Sequence, residues 1–441
     1  MTTLAAAGSA PEALYRVPAQ SNRTALTRFR PAFFPDSGQH YLMLLIIVLF
    51  PFQIFGLNVG TTKFDLANIA FAAFAGWVLL SVPRLGQSSR FKLFFGVYLA
   101  VEIIMFFAGP APPARFGSAF LWVTSVVVLF GLRDHIPINA RAAFWLTLAC
   151  VTLVAMSLLF GYLILGEERP AGLMAEPSPA GLALLGASAG LLVSVRWAPN
   201  RPAAMLSIGG AAILFVVSFL TKTTHILSFA AALVSLGVLS RSFSARTAVL
   251  SVVALGVLYW LFTYDPHYQS RVNISAASSN LSLLSWLQGY DQMVASLHRY
   301  PVLGAGLGGT GQFEFFSGYS VDLFRAGIGD LNRQDAFCGL FRLTIELGPV
   351  LMAVVLYAIS LRLHQLWRST GEGLLPVGLE SQAQMFLFTF GFTLVIGFML
   401  KEPTYSRSHI VLGALLFTVI PLRAVVDVPR RMALQLRPTG L

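Results

Sequence analysis

The chain has 441 residues, 56% of them hydrophobic and only 11% charged, with a mean hydropathy of +0.72. A soluble domain carries about 25% charged residues, so a soluble class is excluded, and long runs of Leu, Val, Ala and Phe without polar alternation exclude a β-barrel. The net charge of +11 reads as a positive-inside bias rather than nucleic-acid binding. What remains is an all-α polytopic membrane protein.

Residues 1–38 are polar, bear Pro and Arg, and read as a cytoplasmic tail with no cleavable signal peptide. A bilayer core needs roughly 20 apolar residues per helix. On that measure residues 39–264 contain nine spans, at about 40–56, 65–82, 92–108, 117–132, 143–165, 179–195, 203–220, 225–240 and 247–264. The breaks carry turn chemistry, as in Gly109-Pro-Ala-Pro-Pro113 and Ala198-Pro-Asn-Arg-Pro202. Residues 265–338 form a long polar segment. Three more spans follow at about 339–361, 382–400 and 409–425, within a 339–425 block, and 426–441 is a second tail. Cys150 and Cys338 are far apart and, with scattered His, suggest neither a disulfide nor a metal site.

The Lys and Arg distribution sets an orientation. With the N-terminus in the cytoplasm, most cationic residues fall on that face, among them Arg16, Arg84, Arg133, Arg196, Arg241, Arg362 and Arg430. Both termini are then cytoplasmic, and 265–338 faces the periplasm between spans nine and ten. Such a segment cannot sit in lipid, where its backbone and charges lose water without compensation.

Within it, Ser285 to Arg299 reads as an amphipathic helix with Trp286, Tyr290, Met293 and Leu297 at helical spacing. Pro301 ends it. The following Pro301-Val-Leu-Gly-Ala-Gly-Leu-Gly-Gly309 lacks the Gly-Lys-Ser/Thr ending of a nucleotide-binding loop and also reads as a tight turn packed on the bundle. Asp335, Arg342 and Glu346 share one helical face entering the tenth span, as a functional group or as an ion pair that orders the helix. Arg169, Lys222, His225, Lys401, Glu402, Arg407 and His409 abut spans on the outer face. Each alone suits an interfacial anchor. Together, cations from separate loops suit a polyanion such as a pyrophosphate. Ser178-Pro179 reads as an N-cap with Pro at the first helical position, which puts Glu176 just ahead of a helix N-terminus.

These features resemble the O-antigen ligase and Wzy-type polysaccharide polymerase superfamily. The likeness rests on about twelve spans, one large loop near the ninth–tenth junction, and Trp286…His298-Arg-Tyr-Pro-Val-Leu-Gly-Ala-Gly-Leu-Gly308 followed by Asp335-Ala-Phe and Glu346-Leu-Gly348. Glu176-Pro-Ser178 is similar to a motif of exopolysaccharide polymerases. The chain departs from the ligase pattern where a His is expected, Asp335 being nearest. It also lacks an Arg just before the Trp, leaving Arg271. The missing His favours polymerase over ligase.

The resemblance implies a GT-C-like glycosyltransferase of the bacterial inner membrane that joins undecaprenyl-pyrophosphate-linked repeat units at the periplasmic face. Cations would stabilise the departing pyrophosphate, a carboxylate would take the acceptor proton, and a lateral opening would admit the lipid. Asp335 is the first candidate base and Glu176 the second. Lys222, Arg271, Arg299, Arg333, Arg342, Lys401, Arg169 and Arg407 are candidate pyrophosphate contacts, with His298, Glu346 and His225 in support. Neither a metal nor another cofactor is required. Partners would be lipid-linked glycans, membrane lipids and a chain-length regulator. A ligase acting on a lipid A core is the alternative within the class. A secondary transporter or a flippase is the alternative outside it, although no internal repeat is evident.

Overall fold

The computed structural model describes residues 36–53, 56–59, 62–81, 89–136, 138–174, 176–240, 281–312, 315–327, 335–402 and 407–422, with Thr404 and a few positions between 256 and 269. The described helices, in chain order, are α1 (Asp36–Leu49), α2 (Leu66–Ser81), α3 (Ser89–Ala108), α4 (Pro113–Leu132), α5 (Ala140–Leu163), α6 (Pro177–Ser194), α7 (Arg201–Ser218), α8 (Ile226–Leu239), α9 (Leu281–Arg299), α10 (Gly318–Arg325), α11 (Gly339–Gly371), α12 (Leu379–Leu400) and α13 (Ser408–Val419). A hairpin of β1 (Gly56–Val59) and β2 (Thr62–Asp65) precedes α2.

Seven of these helices are long and apolar enough to cross a membrane: α3, α4, α5, α6, α7, α11 and α12. Four shorter apolar helices, within α1 and at α2, α8 and α13, fall on other expected spans. The ninth expected span, 247–264, lies almost wholly outside the described residues. Two expected spans end early, and proline explains both. Pro51 stops α1 at Leu49, and Pro421 stops α13 at Val419.

The core is built on α6 and α12, both buried along most of their length, whereas α3 is exposed on almost every side. Small residues explain the intimacy of α6 and α12. Gly186 and Gly190, one turn apart, take the rings of Phe390 and Phe386, and a Cβ on Gly190 would lie 2.9 Å from the Phe386 carbonyl oxygen. Those two rings stack 6.0 Å apart. Without a hydrophobic drive between helices in lipid, such close backbone approach is the main source of packing energy. Around this core, α13 and α5 pack against α12, α7 against α6, and α8 against both.

Candidate functional site

One end of the bundle gathers the C-termini of α3, α5, α7 and α12 with the N-termini of α4, α6, α8, α11 and α13. Its framework is set by a break in α11. Gly348 sits at φ 71°, and Pro349 follows it inside the helix. Pro349 has no N–H for the Ile345 carbonyl, so the helical ladder is open there. The glycine segment closes it: Ala305 N–H donates to Ile345 O at 2.7 Å and Gly306 N–H to Glu346 O at 3.0 Å. Gly304 and Gly348 meet backbone to backbone, and a Cβ on either would overlap the other. The two stretches that carried the family resemblance are thus docked on each other. The glycines serve backbone approach, as the tight-turn reading expected.

This docking holds Glu346 beneath the loop. Its Oε1 accepts from Thr310 Oγ1 at 2.9 Å and from Arg342 Nε at 3.0 Å. The other arm of Arg342, Nη1, donates to Asp335 Oδ1 at 2.7 Å. The sequence places Asp335 on the helix of Arg342; the structure corrects this. The helix begins only at Gly339, and Ala336 and Phe337 lie between at φ 52° and 66°. Two consecutive non-glycine residues in the left-handed region cost of order 1–3 kcal/mol each and concentrate at functional sites. That turn, rather than helical periodicity, brings Asp335 back to Arg342 and leaves its side chain 39% exposed.

The second arm of the site lies where α12 turns into α13. Glu402, just past α12, accepts from His225 Nε2–H at 3.0 Å; the side chains are 6% and 0% exposed. Burial pushes the His225 imidazole below its usual range; Glu402 opposes the fall, and Lys401 and Arg407 add to it. Its Nδ1 has no hydrogen-bond partner among the described residues. Burial acts to raise the Glu402 carboxyl, but the His225 hydrogen bond, the imidazoles of His225 and His409 and then the Arg407 charge overcome it and hold the group below the carboxylate range. Arg407 reaches Glu402 at 3.4 Å and forks onto Glu176 at 2.7 and 2.9 Å. Burial works against the Arg407 charge, and Glu402, Glu176 and Asp335 outweigh it.

Glu176 is itself the N-cap of α6, with Pro177 at the first helical position. The expected cap at Ser178 is therefore shifted by two residues. Pro177 starts the helix because its missing N–H would have gone unpaired there. Lys401 donates to Thr224, Arg169 Nε to Thr221 O at 3.3 Å, and Lys222 caps the α7 turn at φ 46°. His409, the second residue of α13, accepts from Gln53 Nε2 at 2.8 Å.

The structure therefore brings together Glu176, Lys222, His225, Lys401 and Arg407 around one corner and Asp335, Arg342 and Glu346 around the other. The electrostatic reach of Asp335 to Arg407 joins them. His298 and Arg299 lie apart, both exposed at the end of α9, with Arg299 beside the Tyr300 ring. Arg271 and Arg333 lie outside the described residues. Site roles were not assigned to Glu402, Thr310 or Glu102 from sequence. Glu102 is buried within α3; a carboxyl inside an apolar run was the signal that could have found it. Glu402 had a weaker signal, an acid one residue beyond a basic span end. Compared with known proteins, the chain matches no family model and no curated protein.

Proposed function

We propose that the protein is a polysaccharide polymerase that joins lipid-pyrophosphate-linked oligosaccharide repeats at the outer face of a bacterial inner membrane. The observation that carries this reading is the convergence of charged groups from five separate helix ends on one end of an otherwise apolar bundle. A solitary anchor needs no such partner set; a transferred pyrophosphate does. In this reading the bundle crosses the membrane twelve times, both termini are cytoplasmic, and 265–338 is the periplasmic loop.

The three physical requirements have candidates. Arg342 and Arg407 are forked donors already aimed at carboxylates, and an incoming pyrophosphate competes for the same forks. Lys401, which donates to Thr224, and Lys222, two residues earlier in the same turn, add positive charge to this end. Asp335 is the accessible carboxylate beside Arg342 and is assigned as the base that takes the acceptor hydroxyl proton. The bond between the anomeric carbon and the pyrophosphate oxygen breaks as the new glycosidic bond forms, and the pyrophosphate leaves on its lipid. The lipid tail has an apolar groove of about 230 Å³ between α3 and α4, lined by Ile103, Phe106, Phe107, Phe116 and Phe120. Its upper edge adjoins the glycine loop, where Gly308 meets the backbone of Arg115 and Phe116.

The test is Arg407→Ala and Arg342→Ala in cells that make the polymer, with membrane insertion checked by blot. Accumulation of single lipid-linked repeats supports the reading. Intact lipid-linked polymer that is not passed on would indicate a ligase, repeats trapped on the cytoplasmic face a flippase, and normal polymer in both variants would remove the assignment.

A further inference from the structure

One face of α9 is inverted relative to ordinary burial. Ser285, Gln288, Gly289, Gln292 and Ser296 are buried, while Trp286 and Tyr290 are 36% and 45% exposed. The helix docks through its small and polar side. Gly289 meets the Ala336 backbone with no room for a Cβ, and Gln288 Nε2 donates to Ser320 Oγ at 2.9 Å. Two large aromatic residues therefore keep one side open, although rings are among the side chains that gain most from burial.

Their geometry is ordered. The Trp286 and Tyr290 rings lie 6.2 Å apart and 8° from parallel. Both lean on Phe341, at 5.1 and 6.1 Å between centroids. Phe341 is the residue before Arg342, so the ring pair adjoins the charged site. A helix that lies in a lipid surface turns its Leu residues outward together with Trp and Phe. Here Leu284 is buried and Leu283 and Leu287 are half-buried, and the exposed side chains of α9 are the two rings, His298 and Arg299.

We propose that Trp286 and Tyr290 form a saccharide platform, on which the C–H face of a pyranose ring of the acceptor or growing glycan stacks beside the reacting end. The inference rests on the glycosyl-transfer reading of the charged site and names where that site holds its sugar. Parallel, exposed, pre-supported rings suit a flat apolar sugar face, and such preorganisation removes most of the ordering penalty of binding. The role is binding, not proton transfer.

The experiment uses the full-length protein in nanodiscs, with purified lipid-linked repeat as substrate and oligosaccharide fragments of the polymer shed by wild-type cells as probe. Trp286→Ala and Tyr290→Ala each raise KM for the repeat about tenfold, with kcat changed by less than about twofold. They also shorten the product chains, and Trp286→Phe restores most of the loss. Saturation transfer from aromatic protons to the fragments is seen for the wild type and lost in Trp286→Ala. Wild-type KM and chain length in both alanine variants would overturn the platform while leaving the polymerase reading intact. So would quenching of the Trp286 emission, isolated as the difference between wild type and Trp286→Phe, by brominated lipid, which would mark a membrane contact. Fragment binding that depends on Trp286 in a protein without transferase activity would do the reverse: the platform would stand and the polymerase reading would fall.

Discussion

The two ends of the bundle use the same residue type in opposite ways. At the end without the site, Arg362, Arg196 and Arg133 are consumed by backbone, while the exposed Arg141 and Arg368 pair with Glu380 and Glu372 at the rim. Arg362, nearly fully buried, donates to Phe417 O and Ile420 O, closing the carbonyl end of α13. Arg196 donates to Ser240 O just past α8, and Arg133 to Phe130 O near the end of α4. Carbonyls at a helix C-terminus lack intrahelical partners, and a cation there satisfies them and the helix dipole together. At the site end, Arg342 instead forks onto Asp335 in the preceding turn and Glu346 one turn on in α11, and Arg407 onto Glu176 and Glu402. A carbonyl-bound arginine is committed to the fold. A carboxylate-bound one at a partly exposed corner can be claimed by another oxyanion. The contrast separates the two buried arginines, Arg342 and Arg362, which burial alone does not.

The largest effect that sharpens this contrast is on activity. Arg407→Ala or Arg342→Ala lowers chain extension by at least about 100-fold, the scale of losing one charge-stabilising donor, whereas Arg362→Ala leaves the activity per folded molecule unchanged. Comparable losses per folded molecule at both ends would erase the distinction. Next is Gly348→Ala, which places a Cβ in the backbone of Gly304 at a positive φ. Strain of order 1–3 kcal/mol adds to the overlap, and the yield of monodisperse protein on size exclusion falls sharply. A third variant, Arg362→Ala, strands two carbonyls at about 1–3 kcal/mol each and lowers Tm; an unchanged Tm would show that water replaces the guanidinium.

The smallest effect is the pH response of His225. Its folded pKa lies below the unfolded value of about 6.5. The unfolded chain therefore takes up this proton first as pH falls, so stability is retained above about 6.5 and declines below it. Glu402, also depressed in the folded state, contributes above its unfolded value of about 4.3 and loses that contribution as pH falls through its folded value. Between pH 7.5 and 5.5 the wild-type Tm falls, and His225→Gln, which keeps a donor toward Glu402, falls less. Parallel declines would remove His225 from the pH response.

Much of the bundle was legible because apolar runs of span length have few alternatives, and their breaks are marked by proline and charge. The apolar runs of α1 and α13 continue past Pro51 and Pro421, so hydropathy overruns the helix ends that the prolines set. Asp335, Arg342 and Glu346 were found together for the wrong reason. Periodicity implied one helix face, and a left-handed turn at Ala336 and Phe337 supplied the contact. That turn has no glycine or asparagine to announce it. The His225–Glu402 pair was hidden because its members are far apart in the chain, and only the packing of α8 against α12 unites them. Arg299 shows the converse: a residue inside a resembling motif that the fold leaves at the surface.

The kink in α11 has a consequence for biosynthesis. Ala305 and Gly306, which satisfy the Ile345 and Glu346 carbonyls, precede α11 in the chain and leave the ribosome before it. A carbonyl left bare in hydrocarbon costs several kcal/mol. With the glycine segment made first, the broken helix arrives to a partner already waiting. Moving that segment to the C-terminal side of α11 by circular permutation would keep every contact of the finished fold and reverse the order, exposing the break during insertion.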